Sequence, residues 1–190
     1  MNGEGSQGAG LMPQKSSNVR LMLAAAPTPA GWLEVWFALS GDRFRHQLVH
    51  RTDEGEHALV DSVDDGALSD WPPSPPIQQL DDCLLGQGER GLVAVGLAGT
   101  SHWSLAIESK GTELWFDVAC RISSQPGPLR STYRRSESSE RLDWRPLRDG
   151  CAYQESGNEL WFEPSELPLT FPGTARWRYG FAMNSAVSAD

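Results

Sequence analysis

Short segments of alternating apolar and polar residues, separated by glycine and proline, constrain the fold of this chain most strongly. Because successive side chains of a strand point to opposite faces of a sheet, such segments predict strands with one buried face. Seven segments fit the pattern, at residues 19–25, 32–39, 43–50, 92–98, 103–109, 113–122 and 176–183. The 13 prolines and 19 glycines leave little room for long helices. The sequence therefore predicts an all-β fold.

The connections between these segments indicate how the strands pair. Two of them, at 40–42 and 109–112, are short and contain a glycine, which supplies the positive φ that tight hairpins need. The window 77–85 has a helical spacing of apolar residues, but it is short and fits an edge strand equally well. Since helical crossovers are lacking, we expect mostly antiparallel pairing in an irregular β-sandwich or a partly open barrel.

A length of 190 residues suits one globular domain, which we place at residues 19–185. Residues 1–18 contain four glycines and no apolar core, and they are expected to form a disordered tail. An acidic, proline-rich loop is expected around 51–78, with the segment Trp-Pro-Pro-Ser-Pro-Pro at 71–76 as an extended connector on the domain surface. The predicted core consists of Leu21, Leu23, Val35, Phe37, Val93, Val95, Leu105, Ile107, Leu114, Phe116, Val118, Leu160, Phe162 and Tyr179.

The chain contains an internal repeat. Residues 106–133 align without a gap to residues 152–179 at an offset of 46, with ten identities in 28 positions. Ordinary residue frequencies supply about two by chance. Either a strand-turn-strand unit was duplicated, or two hairpins converged on residues that suit strands and turns. Duplication predicts superimposable hairpins, with Gly111 and Gly157 at equivalent turn positions.

The motif Glu-[Val/Leu]-Trp-Phe occurs three times, starting at Glu34, Glu113 and Glu159. In a strand its aliphatic residue and its Phe share one face, and its Glu and Trp share the other. If the aliphatic face is the core, the tryptophans are partly exposed and an indole beside a carboxylate can contact a polar ligand such as a sugar. If the sheet is covered on both sides, the tryptophans belong to the core. We expect the second arrangement, because large aromatic residues are mostly buried.

Composition excludes several classes of partner. The formal net charge is -9, whereas nucleic-acid binding needs a broad basic surface, so DNA and RNA are not expected. No apolar run is long enough to span a bilayer, and no membrane partner is expected. The chain has three cysteines, an odd number without metal-ligand spacing: Cys83, Cys120 and Cys151. This favours reduced thiols in a cytoplasmic protein and predicts neither a metal site nor a cofactor.

Charge is unevenly distributed along the chain. Residues 53–89 contain ten acidic and no basic residues, whereas residues 121–148 contain seven arginines and three acids. The two regions either attract each other or form separate solvated faces.

A candidate binding site follows from these arginines and from the glycine-rich turn at 96–101. Guanidinium groups beside Tyr and Trp suit an anionic ligand or a partner peptide. We expect the groups to converge at one edge of the sheet, where the acidic segment 53–82 occupies the site when no partner is present. The candidate ligand-binding residues are His102, Trp103, Arg121, Arg130, Tyr133 and Arg134.

The favoured function is a noncatalytic ligand- or protein-binding β domain, whose partner is an unknown protein or a small anionic ligand. No nucleophile, metal or cofactor set has a specific spacing, so no catalytic residue is assigned. The alternative is a small hydrolase that uses Ser101, His102 and Asp117. That reading requires a cleft in which His102 reaches a serine and an acid. Neighbouring strand residues point to opposite faces, which disfavours a pair of Ser101 and His102.

Four blocks of the sequence resemble those of a family of uncharacterised bacterial proteins without an assigned activity. They are DWPPSPPIQQL at 70–80, VGLAGTSHWSLAIE at 95–108, FDVACRI at 116–122 and RSTYR at 130–134. The resemblance covers about a third of the chain. It implies that residues 70–134 are the hallmark of the family, and it implies no catalytic residue, cofactor or substrate.

Overall fold

All strand pairs in the described residues are antiparallel, as the hairpin-length connections predict. The computed structural model describes residues 19–64, 71–85, 89–141 and 143–184. The strands are β1 (Val19–Ala24), β2 (Trp32–Ser40), β3 (Arg43–Thr52), β4 (Gly55–Ser62), β5 (Gln79–Leu84), β6 (Arg90–Ala98), β7 (Ser101–Lys110), β8 (Glu113–Ile122), β9 (Ser131–Arg135), β10 (Trp144–Asp149), β11 (Cys151–Ser156), β12 (Glu159–Pro164) and β13 (Gly173–Met183). A short 3-10 helix at Glu137–Arg141 precedes β10.

The strands form two open sheets. One has seven strands in the order β1-β2-β3-β4-β9-β12-β11, and the other has six in the order β10-β13-β8-β7-β6-β5. The all-β prediction is confirmed, and of the two architectures expected, two open sheets match a sandwich. Strand β5 is an edge strand, the alternative to a helix for the window 77–85. The described part of the chain has no helix with the length and hydrophobicity needed to cross a bilayer.

The core lies between the sheets. Tyr179 of the six-stranded sheet stacks on Phe116 at a centroid distance of 5.2 Å and on Phe162 of the seven-stranded sheet at 4.2 Å. Each such buried aromatic side chain contributes about 2 to 3 kcal/mol of hydrophobic stabilisation. Most of the predicted core is confirmed as buried: Leu23, Val35, Phe37, Leu105, Ile107, Leu114, Phe116, Val118, Leu160, Phe162 and Tyr179. Leu21 is partly buried against this core.

The core prediction is wrong for Val93 and Val95 in β6, which are 39% and 48% exposed. Their neighbours Leu92, Ala94 and Ala98 face the core instead. Strand β6 is apolar on both faces, so its alternation does not indicate which face is inward. The pairing of β6 with β7 decides it, because Leu92 lies opposite the buried Ile107.

The two segments that align at an offset of 46, residues 106–133 and 152–179, form hairpins with the same register. Lys110 pairs with Glu113 across the β7–β8 turn, and the equivalent Ser156 pairs with Glu159 across the β11–β12 turn. Both turns have a glycine at φ 60°, at positions 111 and 157. Each hairpin then pairs with the third strand of the other segment, because β8 pairs with β13 and β12 pairs with β9. The segments are therefore interleaved across the sandwich.

The predicted acidic, proline-rich loop is shorter than expected, and its proline-rich part is buried. Strands β3 and β4 extend to Ser62, so the loop predicted at 51–78 begins only after this strand, and residues 65–70 lie outside the described residues. Residues 72–77 are buried, which corrects their placement on the surface. Ser74 Oγ donates to the carbonyl of Thr132 at 2.9 Å and accepts from its N–H at 3.1 Å. The tail at 1–18 also lies outside the described residues.

Candidate functional site

The outer face of the six-stranded sheet has two cross-strand rows of side chains at one end. One row is Leu97, His102, Arg121 and Thr174, in β6, β7, β8 and β13. The adjacent row is Val95, Ser104, Ala119 and Arg176 in the same strands. The strand register thus places aliphatic side chains on β6, small ones in the centre and two arginines on β8 and β13.

These rows line a surface depression of about 540 Å³, which we call the outer groove. This volume is within the range of small-molecule sites, about 300 to 1,000 Å³. The groove is lined by Gln78, Gln79, Val95, Gly96, Leu97, His102, Trp103, Ser104, Ala119, Arg121, Thr174 and Arg176.

Two arginines, Arg121 and Arg176, line the groove. Neither guanidinium group has an ion pair or a hydrogen bond to any residue that the structure describes. In the next row of the same sheet, Arg178 pairs with Glu108 and with Asp149, and it lies over the ring of Trp115 at 5.0 Å. The register therefore leaves Arg121 and Arg176 without an ion pair to the described residues, whereas Arg178 has two carboxylate partners.

The side chains of His102, Arg121 and Arg176 are close neighbours in the groove. His102 lies directly opposite Arg121, which places their Cβ atoms about 5 Å apart. Arg176 is a diagonal neighbour of Arg121 across the β8–β13 pair, at about 7 Å. Asp117 lies opposite Arg178, in the row next to Ala119 and Arg176. A carboxylate therefore borders the arginine end of the groove on this side.

The structure divides the six predicted site residues between the two sheets. His102 and Arg121 are exposed on β7 and β8 and line the groove. Trp103 also borders the groove, but it is 3% exposed and packs in the core against Trp71 and Trp177, with both centroid distances at 5.8 Å. These three residues are brought together as expected.

The other three residues lie at β9, in the seven-stranded sheet. Arg130 stacks over Trp161 at 5.6 Å, and Arg134 forms a 2.9 Å ion pair with Glu159. Tyr133 is 1% exposed in the core. The expected convergence of all six residues at one sheet edge is therefore absent, because β8 and β9 belong to different sheets.

The acidic segment does approach an arginine-bearing strand, but not at the groove. Asp61 of β4 lies opposite Arg134 of β9, and Asp64 pairs with Arg43 and Arg45. In the described parts of 53–82, no acidic residue pairs with Arg121.

Arg176 was missing from the predicted site. The repeat contains the signal for it, because Arg176 aligns with Arg130 at the offset of 46. The two equivalents have different surroundings, since Arg130 covers an indole and Arg176 lines the groove without a described partner.

The tryptophans of the repeated motif are only partly buried, which overturns the expectation that they are core. In each copy the aliphatic residue and the Phe are buried while the Trp lies on the outer face. Each indole is covered by an arginine: Arg51 on Trp36, Arg178 on Trp115 and Arg130 on Trp161, at 5.9, 5.0 and 5.6 Å. Trp36 and Trp115 also donate to the Glu two residues earlier, at 2.7 and 2.8 Å. These rings are engaged within the protein.

The residues of the hydrolase alternative are apart. Ser101 is 2% exposed and points inward, whereas the adjacent His102 points outward. Asp117 lies opposite Ala106, four positions along β7 from His102, or about 13 Å. Cys120 is fully buried in the core, and this burial raises the pKa of its thiol to about 12.

A buried polar chain crosses the core near the seven-stranded sheet. His46 Nε2 shares a 2.8 Å hydrogen bond with the Tyr133 hydroxyl, which lies 2.7 Å from the Tyr179 hydroxyl. Burial lowers the pKa of His46 to about 3 and raises the pKa of both tyrosines. The imidazole is therefore neutral at pH 7 and structural. Among the described residues, no group of three or more His, Cys, Asp or Glu is arranged to hold a metal ion.

Comparison with known proteins returned no relatives. No family model, no curated protein and no solved structure matches this chain. Inference about its function therefore depends on the geometry of the outer groove.

Proposed function

We propose that this chain is a noncatalytic binding domain that takes a small anionic ligand in the outer groove. The observation that carries the proposal is the pair of neighbouring guanidinium groups, Arg121 and Arg176, which have no carboxylate partner among the described residues. The chain as a whole has a net charge of -9, so the positive charge of this depression is opposite in sign to that of the protein.

Electrostatics favours an anion at this position. Two like charges at diagonal positions of neighbouring strands repel each other, and a bound anion adds an attraction to each of them. A guanidinium donates two parallel hydrogen bonds to a carboxylate or phosphate, which makes it a selective partner for such groups. The hydroxyls of Ser104 and Thr174 and the imidazole of His102 line the same depression and add donors.

The interleaved segments support a further part of the proposal, that residues 106–133 and 152–179 are an internal repeat. Their hairpins share one register and one turn geometry. On this view Arg130 and Arg176 diverged after duplication, one to cover Trp161 and the other to line the groove. Three free cysteines support a reducing compartment, and we propose the cytoplasm.

The proposal is tested by NMR titration of the 15N-labelled protein with acetate, phosphate and sulfate. We expect saturable shifts at the amides of Arg121, Ala119 and Arg176. The double variant R121Q/R176Q is expected to weaken binding at least about tenfold, because two charge-assisted contacts are lost.

R145Q is the matched control, since Arg145 is exposed on the same sheet but outside the groove. It should bind as the natural protein does. Equal binding by R121Q/R176Q, or the absence of saturable shifts with every anion, would refute the proposal.

A further inference from the structure

Strand β6 presents an aliphatic stripe next to the cationic end of the groove. Val93, Val95 and Leu97 occupy successive outward positions and are 39%, 48% and 45% exposed. The outward face of an antiparallel sheet is normally polar where it meets water. An aliphatic stripe on such a face indicates a surface that is covered by something apolar.

Strand β7, the neighbour of β6 on the side of the arginines, does not cover this stripe. Val93 and Val95 lie opposite Ala106 and Ser104 of β7, whose side chains are too small to fold over them. In the next strand, Ala119 continues the same row. Only the small side chains of Ser104 and Ala119 therefore lie between the stripe and Arg176 in this row.

Strand spacing gives the length of this path. Neighbouring strands lie about 4.8 Å apart, so the three steps from Val95 on β6 to Arg176 on β13 span about 14 Å. A ligand that uses both ends must be elongated, with one anionic end and one aliphatic end.

Resting on the proposed function, we infer that the ligand of the outer groove is an unbranched aliphatic carboxylate. Its carboxylate accepts hydrogen bonds from Arg121 and Arg176, and its chain lies across Ser104 and Ala119 onto Val95 and Leu97. One molecule can contact both ends, because the groove runs across the strands from the aliphatic side chains of β6 to the arginines of β8 and β13.

The charges around the groove favour a singly charged head group. Asp117 lies one row from Arg176 and two rows from Arg121, so the three side chains together leave a single net positive charge, which one carboxylate balances. A dianionic phosphate doubles the attraction to this charge, but removing it from water costs about four times as much, because the Born cost rises with the square of the charge. The same surroundings disfavour an anionic membrane surface, since Asp81 and Asp117 lie on this face and the chain has a net charge of -9.

The test compares decanoate, acetate and 1-decanol as ligands in NMR titrations below the micellar concentration of decanoate. We expect decanoate to bind at least about tenfold more tightly than acetate, because its chain buries aliphatic area on β6. Decanol is expected to bind more weakly than decanoate, since it lacks the charge that the arginines pair with. Decyl phosphate, at a pH where it is dianionic, is expected to bind more weakly as well.

Two sets of variants separate the ends of the ligand. V95S/L97S should abolish the advantage of decanoate over acetate, because it removes the aliphatic area that only the longer ligand reaches. M22S is the matched control, because Met22 is similarly exposed, at 47%, on the other sheet. R121Q/R176Q should weaken both anions.

Failure of this inference is distinct from failure of the proposed function. If acetate and decanoate bind equally and V95S/L97S has no effect, the aliphatic inference is wrong and anion binding stands. If decanol or decyl phosphate matches decanoate, the carboxylate assignment is wrong. Binding to anionic vesicles without binding of monomeric decanoate also overturns it. If no anion binds, both conclusions fall.

Discussion

The hydroxyl oxygens of Tyr133 and Tyr179, which occupy aligned positions of the segments 106–133 and 152–179, lie 2.7 Å apart in the core. A second pair of equivalents, Ser131 and Trp177, shares a 3.1 Å hydrogen bond from the indole N–H to the serine hydroxyl. The two segments therefore meet each other at matching positions between the sheets. Their interleaving makes each segment part of the environment of the other.

The Tyr133 hydroxyl is expected to contribute more to stability than the Tyr179 hydroxyl. Y133F removes the partner of His46 Nε2 and one of the partners of the Tyr179 hydroxyl, which also bonds to Ser131. A buried polar group that is left unsatisfied, as His46 Nε2 is here, costs about 1 to 3 kcal/mol. Y179F leaves Tyr133 paired with His46, so its cost should be smaller. Urea unfolding of both variants gives the comparison, and a larger loss for Y179F would contradict this account of the network.

Stability should fall as the pH falls below about 6.5, through the titration of His46. Burial lowers the pKa of this side chain from 6.5 to about 3, so between these values the unfolded chain binds a proton that the folded chain excludes. Stability is then full above pH 6.5 and is lost progressively towards pH 3, by up to about 1.4 kcal/mol per pH unit.

The measurement is urea unfolding between pH 5 and 6.5, where most carboxylates do not yet titrate. His46→Asn should reduce the pH slope in this window, and His50, whose pKa burial also lowers, accounts for part of the remainder. His102→Asn is the control, because His102 is exposed on the other sheet, and it should keep the slope of the natural protein. An unchanged slope in His46→Asn would show that another group is responsible.

Gly96 should be intolerant of any side chain because the proline-rich segment packs on it. A Cβ atom at this position would lie 1.5 Å from the carbonyl oxygen of Pro76, so the backbone of the segment would have to move. We expect G96A to destabilise the fold by more than about 2 kcal/mol. G99A is the comparison: its Cβ meets nothing within 4 Å, and its positive φ alone costs about 1 kcal/mol. Equal losses in thermal unfolding would argue against tight packing of the segment.

Replacing the arginines at β9 should not affect ligand binding. Arg134 is half exposed in an ion pair with Glu159, and Arg130 covers Trp161 on the sheet that does not contain the groove. R134A should therefore change stability by less than about 1 kcal/mol and leave the anion titration unchanged. A large loss of anion affinity in R134A, with R121Q/R176Q unaffected, would move the site to the seven-stranded sheet.

Local residue patterns determined which segments are strands, where the hairpins turn and which residues of the repeated motif share a face. They predicted that Leu114 and Phe116 lie on one side of β8 and that Gly111 and Gly157 occupy equivalent turns, because side-chain alternation and positive φ are properties of the local backbone. They also predicted that His102 and Arg121 lie close together, and the two residues are directly opposite each other in the β7–β8 hairpin.

The tertiary structure decided which face of a two-sided apolar strand is inward and which strands share a sheet. Val93 and Val95 were expected inside because β6 is apolar on both faces, and only its register against β7 turns them outward. Arg130 was expected beside Arg121, yet β9 pairs with β12 whereas β8 pairs with β13, which brings Arg176 to the groove. Strand partners distant in sequence are selected by the shared burial of side chains from both sheets, and that selection is a property of the whole core rather than of any segment.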